Sequence, residues 1–99
     1  MATVPNTIRD QLGGRALYML GAKNIWGEGH TLGFKIGRNA KRINAITITL
    51  DPDDTYTVKF LRQKGAPTFE VTTVAEENGI YVDMLHDTIT RNTGLHTSL

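Results

Sequence analysis

Apolar and polar residues alternate with a period of two through the middle of this chain. Ile46, Ile48 and Leu50 are separated by Thr47 and Thr49, and Tyr56, Val58 and Phe60 are separated by Thr57 and Lys59. Such alternation gives an extended segment one apolar and one wet face. Between the runs, Asp51-Pro52-Asp53-Asp54 combines a proline that presets φ with aspartates that bond nearby backbone amides, so the pair is predicted to be a β-hairpin. Leu32, Phe34 and Ile36 alternate in the same way with Gly33 and Lys35. After a predicted turn at Gln63-Lys64-Gly65-Ala66-Pro67, Phe69, Val71 and Thr73 offer one face of a further strand, with Glu70 and Thr72 on the other. The apolar stretch from Arg15 to Leu20 reads as an additional strand whose face the pattern does not assign.

Helical spacing marks the two ends. Thr7 followed by Asp10 resembles a capping box, Ile8 and Leu12 share one side, and Gly13-Gly14 stops the helix. Tyr81, Val82, Leu85, Thr88 and Ile89 form a longer stripe, with Asp83 in the first turn and Arg91 in the last, where each suits the helix dipole. Gly94 can terminate that helix in the left-handed conformation, which would bring Leu95 back toward Ile89. The predicted fold is α+β: an antiparallel four- or five-stranded meander sheet with a short N-terminal helix and a longer C-terminal helix, in one compact domain spanning residues 1–99.

The chain has no cysteine, which removes disulfides and thiolate metal sites and suits a reducing cytoplasm. Its first residues, Met1-Ala2-Thr3-Val4-Pro5-Asn6, have neither the basic nor the apolar region of an export signal, and no apolar run approaches the roughly 20 residues that span a bilayer. A cytoplasmic protein with no membrane partner is expected.

Charge changes the picture more than composition does. The formal net charge is only +1, yet residues 11–50 hold six cations against one acid, a net +5, and residues 51–99 hold four against eight, a net −4. Local field, not net charge, steers a charged partner, so this split points to polyanion binding or head-to-tail self-association. The candidate binding segment is the loop Gly37-Arg38-Asn39-Ala40-Lys41-Arg42, where Arg38, Asn39, Lys41 and Arg42 are joined by backbone amides expected to be exposed. Lys35 and Lys23 extend the patch, and Arg15 joins it if its segment is a neighbouring strand. Trp26, with Tyr18, offers a stacking surface for an unpaired base.

Residues suited to catalysis are sparse. The single serine is Ser98, next to the end of the sequence, and His30, His86 and His96 lie at no metal-ligand spacing. Asp83, His86 and Asp87 fall within one helical turn, and Asp51, Asp53 and Asp54 make an acidic turn too short for a calcium loop. These read as a solvated helix face and as hairpin chemistry. Gly27-Glu28-Gly29 and the Gly33 to Gly37 segment match no nucleotide fingerprint and are read as positive-φ positions at strand ends. No cofactor, metal or enzymatic activity is expected.

Across nearly its whole length the chain resembles a known group. Leu12-Gly13-Gly14, Met19-Leu20-Gly21-Ala22-Lys23-Asn24, Leu32-Gly33-Phe34-Lys35, Arg38-Asn39-Ala40-Lys41, Ile43-Asn44, Ile48-Thr49-Leu50, Tyr56-Thr57-Val58, Gly79-Ile80-Tyr81-Val82-Asp83 and Thr93 to Leu99 are similar, in order and spacing, to short proteins of no established activity carried by bacteriophages and integrated mobile elements. The chain departs from them at Ile25, where an aromatic is common, and has Trp26 next. The resemblance implies a mobile-element origin and a bacterial cytoplasmic setting, with no catalytic residue to carry over. The expected function is therefore that of an accessory binding protein contacting nucleic acid or nucleoprotein through its basic loop. The alternative is a protein-interaction module or inhibitor acting on a host protein, with a homo-oligomer also open.

Overall fold

Period-two alternation becomes the centre of a five-stranded antiparallel sheet in the computed structural model, which describes residues 4–37, 39, 41–64 and 70–95. The strands are β1 (Lys23–Glu28), β2 (Thr31–Lys35), β3 (Ala45–Leu50), β4 (Tyr56–Gln63) and β5 (Val71–Ile80), laid side by side in chain order. Helices α1 (Val4–Leu12) and α2 (Gly14–Met19) precede the sheet, and α3 (Leu85–Thr93) follows it after a 3₁₀ turn at Val82–Met84. The class is α+β, as the sequence predicts. No helix among the described residues is long and apolar enough to cross a membrane.

One face of the sheet carries the core. Leu32, Phe34, Ile46, Ile48, Tyr56, Val58 and Phe60 are buried on that face, together with Ile8 and Leu12 of α1, Ala16 and Leu17 of α2, and Leu85 and Ile89 of α3. All three helices therefore lie on the same side. The opposite face carries none of the helices among the described residues. Across it, the register sets Glu28, Thr31, Thr49 and Thr57 in one row, Trp26, Gly33, Thr47, Lys59 and Glu76 in the next, and Lys23, Lys35, Ala45, Leu61 and Thr73 in a third.

Three segments depart from the sequence reading for local reasons. Arg15 to Leu20 is mostly helix, not strand. Gly13, at φ +92, breaks the chain after α1, and α2 then buries Ala16, Leu17 and Leu20 while Arg15 and Tyr18 face solvent. Six residues are too few for periodicity to separate the two states. α1 starts at Val4, so Thr7 lies within the helix and is not its cap. At the other end, β5 runs on to Ile80, so Tyr81 and Val82 precede α3 and are exposed, while Leu85, Thr88 and Ile89 supply the buried stripe. Val71 and Thr73 do share a face, but it is the open one; Phe69 and most of the preceding turn lie outside the described residues.

Polar groups near the core are engaged. Thr88 and Thr93 donate to the carbonyls of Met84 and Ile89, four residues back. Tyr56 donates its phenol to the side-chain oxygen of Gln11 on α1, and His86 Nε2 lies 2.6 Å from the Leu12 carbonyl, tying α3 to the end of α1. α3 ends at Gly94, φ +76, whose amide bonds the Thr90 carbonyl, as its position in the sequence implies. In the β3–β4 turn, Asp53 accepts hydrogen bonds from the Thr55 hydroxyl at 2.6 Å and the Thr55 amide at 3.2 Å. Those bonds, the hydroxyl's first, hold its carboxyl below the ordinary aspartate value.

Two expectations follow. Phe60→Ala should cost roughly 3–5 kcal/mol by leaving a cavity under the helices, whereas Thr47→Ala on the open face should cost under about 1 kcal/mol; urea unfolding of both variants tests the one-sided core. Because the folded Asp53 carboxyl sits below its unfolded value near pH 3.9, its contribution is complete above that value and lost as pH falls through the folded value. Thr55→Val should therefore flatten the stability profile below about pH 4 and leave the pH dependence above pH 5 unchanged.

Candidate nucleic-acid interface

The candidate surface is built by a β-bulge. Between Lys23 and Trp26, β1 advances three residues while β2 advances two, from Lys35 to Gly33, with Asn24 at φ 53 absorbing the extra residue. Lys23 and Trp26 consequently stand on the same face despite their odd spacing. Lys23 is the cross-strand partner of Lys35, and both are exposed. Two like-charged residues directly opposite each other in a sheet oppose its formation by up to about 1 kcal/mol. No ion pair among the described residues neutralises either one.

Trp26 occupies the adjoining row and lies over Gly33. A Cβ built at Gly33 would come within 2.2 Å of indole Cε2 and Cζ2 and 2.6 Å of Nε1. Gly33 is thus a close-approach glycine, not the positive-φ position its place in the sequence suggests; only a residue without Cβ lets the ring settle on the strand. Trp26 remains 46% exposed. Its edge also borders a cavity of about 360 Å³ at the free edge of β1, lined further by Asn6, Arg9, Ile25 and Leu32.

The basic loop leaves the sheet at the Lys35 end and returns at Ala45. Its interior differs from the expected open set of donors. The Asn39 amide nitrogen donates to the carbonyls of Gly37 (3.1 Å) and Ile43 (2.6 Å), and its oxygen accepts from the amides of Lys41 and Ile43, both at 3.2 Å. The amides of Gly37 and Arg42 bond the carbonyls of Leu20 and Asn39. Asn39 is therefore the staple of the loop, and Lys41 and Arg42, both exposed, are the cations that the described part of the loop offers to solvent. Arg42 is held at φ 58, a left-handed conformation that costs a non-glycine residue about 1 kcal/mol. It borders a recess of about 270 Å³ shared with Ile36, Gly37, Ile43 and Asn44.

Sequence reasoning missed Arg62. Its guanidinium donates to the carbonyls of Arg42 and Lys41, each at 3.3 Å, fixing the loop from β4. Nothing in a one-dimensional pattern marks that contact, because the partners are backbone atoms about 20 residues away.

The register sets Lys23, Lys35 and Trp26 on one face, and Lys41 and Arg42 lie in the loop that joins β2 to β3 at the Lys35 end, tied to Arg62. Arg38 lies outside the described residues. Arg15 and Tyr18 do not join them: both sit on α2, in the helix layer behind the sheet, and Tyr18 is 84% exposed there. Four acids of the second half pair with cations of that half instead. Lys59 pairs with Glu76 at 3.7 Å, Lys64 with Glu70 at 3.9 Å, and Arg91 with Asp87 and Glu77 at 2.9 and 3.2 Å. The acidic turn is likewise engaged, since Asp51 accepts from Thr57 and Asp53 from Thr55, and no cluster of three His, Asp or Glu suited to a metal occurs among the described residues.

Arg42→Gly separates stability from binding. Relief of the left-handed backbone should offset the added freedom of the unfolded chain, each effect being about 1 kcal/mol, so the thermal midpoint should hold or rise slightly. Retention on an immobilised polyanion should fall in the same variant, a pairing that calorimetry and heparin chromatography can check. No protein-family model, curated protein or solved structure matches the chain, and what this surface does follows from its own residues.

Proposed function

We propose that this protein is a non-enzymatic binding module, of the accessory kind carried by bacteriophages and mobile elements, that contacts nucleic acid or nucleoprotein through the basic end of its open sheet face. The observation that carries the reading is the Lys23–Lys35 pair, two like charges set opposite each other with no ion pair to a carboxylate among the described residues. A sheet gains nothing from that arrangement, whereas a phosphate placed between the ammonium groups turns the repulsion into attraction. Lys41 and Arg42 continue the positive strip beyond the strand ends. The segregation of charge along the sequence supports it: Lys59, Lys64 and Arg91 pair with acids of their own half, and no ion pair among the described residues engages the cations of the first half.

A second reading has one observation in its favour. Tyr81, Val82 and Met84 are 61%, 47% and 41% exposed in the turn before α3, a patch suited to a protein partner, including a host factor or a second copy. Salt separates the readings. Fluorescence anisotropy with single- and double-stranded DNA and RNA should show affinity falling with a log–log slope of about −3, from four cations at roughly −0.7 to −0.9 each. Lys23→Ala and Lys41→Ala should each reduce that slope by about 1. Flat titrations at low salt would move the assignment to the protein partner.

A further inference from the structure

We infer that the ligand of this face is single-stranded, with one unpaired base stacked on Trp26; this rests on the nucleic-acid reading above and adds its strand class. The argument begins with a residue that weakens the sheet. Gly33 lies within β2, between two hydrogen-bonded neighbours, where glycine sacrifices strand stability and offers no side chain to pack. What it provides is room, since any Cβ would strike the indole at 2.2 Å. The ring is therefore laid against the backbone on one side, and its 46% exposure leaves surface toward the solvent above the open face. A buried tryptophan would be core, and a loop tryptophan would be mobile. This one is rigidly seated and half uncovered.

Its surroundings match a nucleotide. The Lys23–Lys35 row is two residues from the Trp26–Gly33 row, about 7 Å along the strands, a span comparable with one extended nucleotide step. A base on Trp26 thus brings an adjoining phosphate over the paired ammonium groups. On the other side of Gly33 stands Thr47, and beyond it Lys59 is already paired with Glu76, while Glu28 occupies the row on the far side of Trp26, so the positive charge beside the ring lies toward the Lys23–Lys35 row. Bases inside a duplex are stacked on each other and present only their edges, and this face carries no helix among the described residues to enter a groove. Stacking on an aromatic ring needs a base that is free, and it tolerates any of the four.

Trp26 is the sole tryptophan of the chain, so its emission reports this site directly. The experiment titrates the full chain with three probes: an oligothymidylate about 10 nucleotides long, the corresponding dT·dA duplex, and inorganic polyphosphate. The expected result is quenching by the oligothymidylate, binding of polyphosphate by competition without quenching, and little quenching by the duplex. Followed by anisotropy of a labelled oligothymidylate, since these variants lack the tryptophan, Trp26→Leu should weaken oligothymidylate binding roughly 5- to 100-fold and leave polyphosphate competition at the lysines in place, with Trp26→Phe recovering part of the loss. Gly33→Ala, which lifts the ring from its seat, should shift the free protein's emission to the red and reproduce the binding loss; circular dichroism establishes that each variant is folded. Polyphosphate binding without quenching by the oligothymidylate, or equal quenching by the duplex, would overturn the inference and leave the electrostatic reading standing. Failure of all three probes to bind would overturn both.

Discussion

Coverage of the sheet on one side only is the constraint from which the rest follows. With α1, α2 and α3 gathered over Phe34, Ile46, Ile48, Val58 and Phe60, the alternate positions of the same strands are left to water. The chain meets that requirement largely with threonine, whose branched side chain suits a pleated surface and whose hydroxyl can bond across strands. Thr31 and Thr49 lie 2.8 Å apart through their hydroxyl oxygens, and Thr57 donates to Asp51 at 2.6 Å. Polar groups on this part of the face thus find partners within the protein. The Lys23–Lys35 end is built differently: its cations face each other, and an aromatic ring sits in the adjoining row.

That difference gives the charge split a structural meaning. Exposed ion pairs such as Lys59–Glu76 and Lys64–Glu70 add little stability, typically between 0 and about 1 kcal/mol. Their larger consequence is for the field, because they cancel charge where β4 and β5 meet. Glu77, on the helix-facing side of β5, is held by Arg91 and Asn92 of α3, so that acid is also unavailable to the first half. A net charge near zero therefore conceals an uneven surface, with the cations of Lys23 and Lys35 outside the ion pairs of the described residues.

Legibility in the sequence tracked regularity of the backbone. The β3–β4 hairpin and β2 keep strict alternation, and their inward residues could be read directly. β1 could not, because the bulge after Lys23 breaks the period at the place where the strand contributes most to the candidate site. β5 has two such irregularities, one near Val74 and one near Gly79, so only its first residues alternate and its extent to Ile80 was hidden. The cations of the loop were visible as composition. Their accessibility was not, since the engagement of Asn39 and of the loop amides depends on how the loop closes on itself. Trp26 was visible as a lone aromatic, but its seat on Gly33 is a contact across a strand pair that no spacing rule encodes.

Local rules are broken repeatedly in one region. Lys23 and Lys35 repel, Gly33 weakens the strand that most needs side chains, Arg42 takes a conformation that favours glycine, and Asn24 is left-handed in mid-strand. Each departure opposes folding on its own, and a chain selected only for stability has simple replacements available at every one. The left-handed Asp54 is different in kind, since it lies in a tight turn where aspartate tolerates that conformation. Consistency across levels is what makes a sequence specify a structure, and concentrated inconsistency marks where another demand competes with folding. On the proposed reading the competing demand has a definite chemistry: an anion would relieve the lysine pair, and a flat apolar ligand would cover the ring that Gly33 admits. Phosphate and base would supply those two groups on one polymer, and the costs would then fall side by side for one reason.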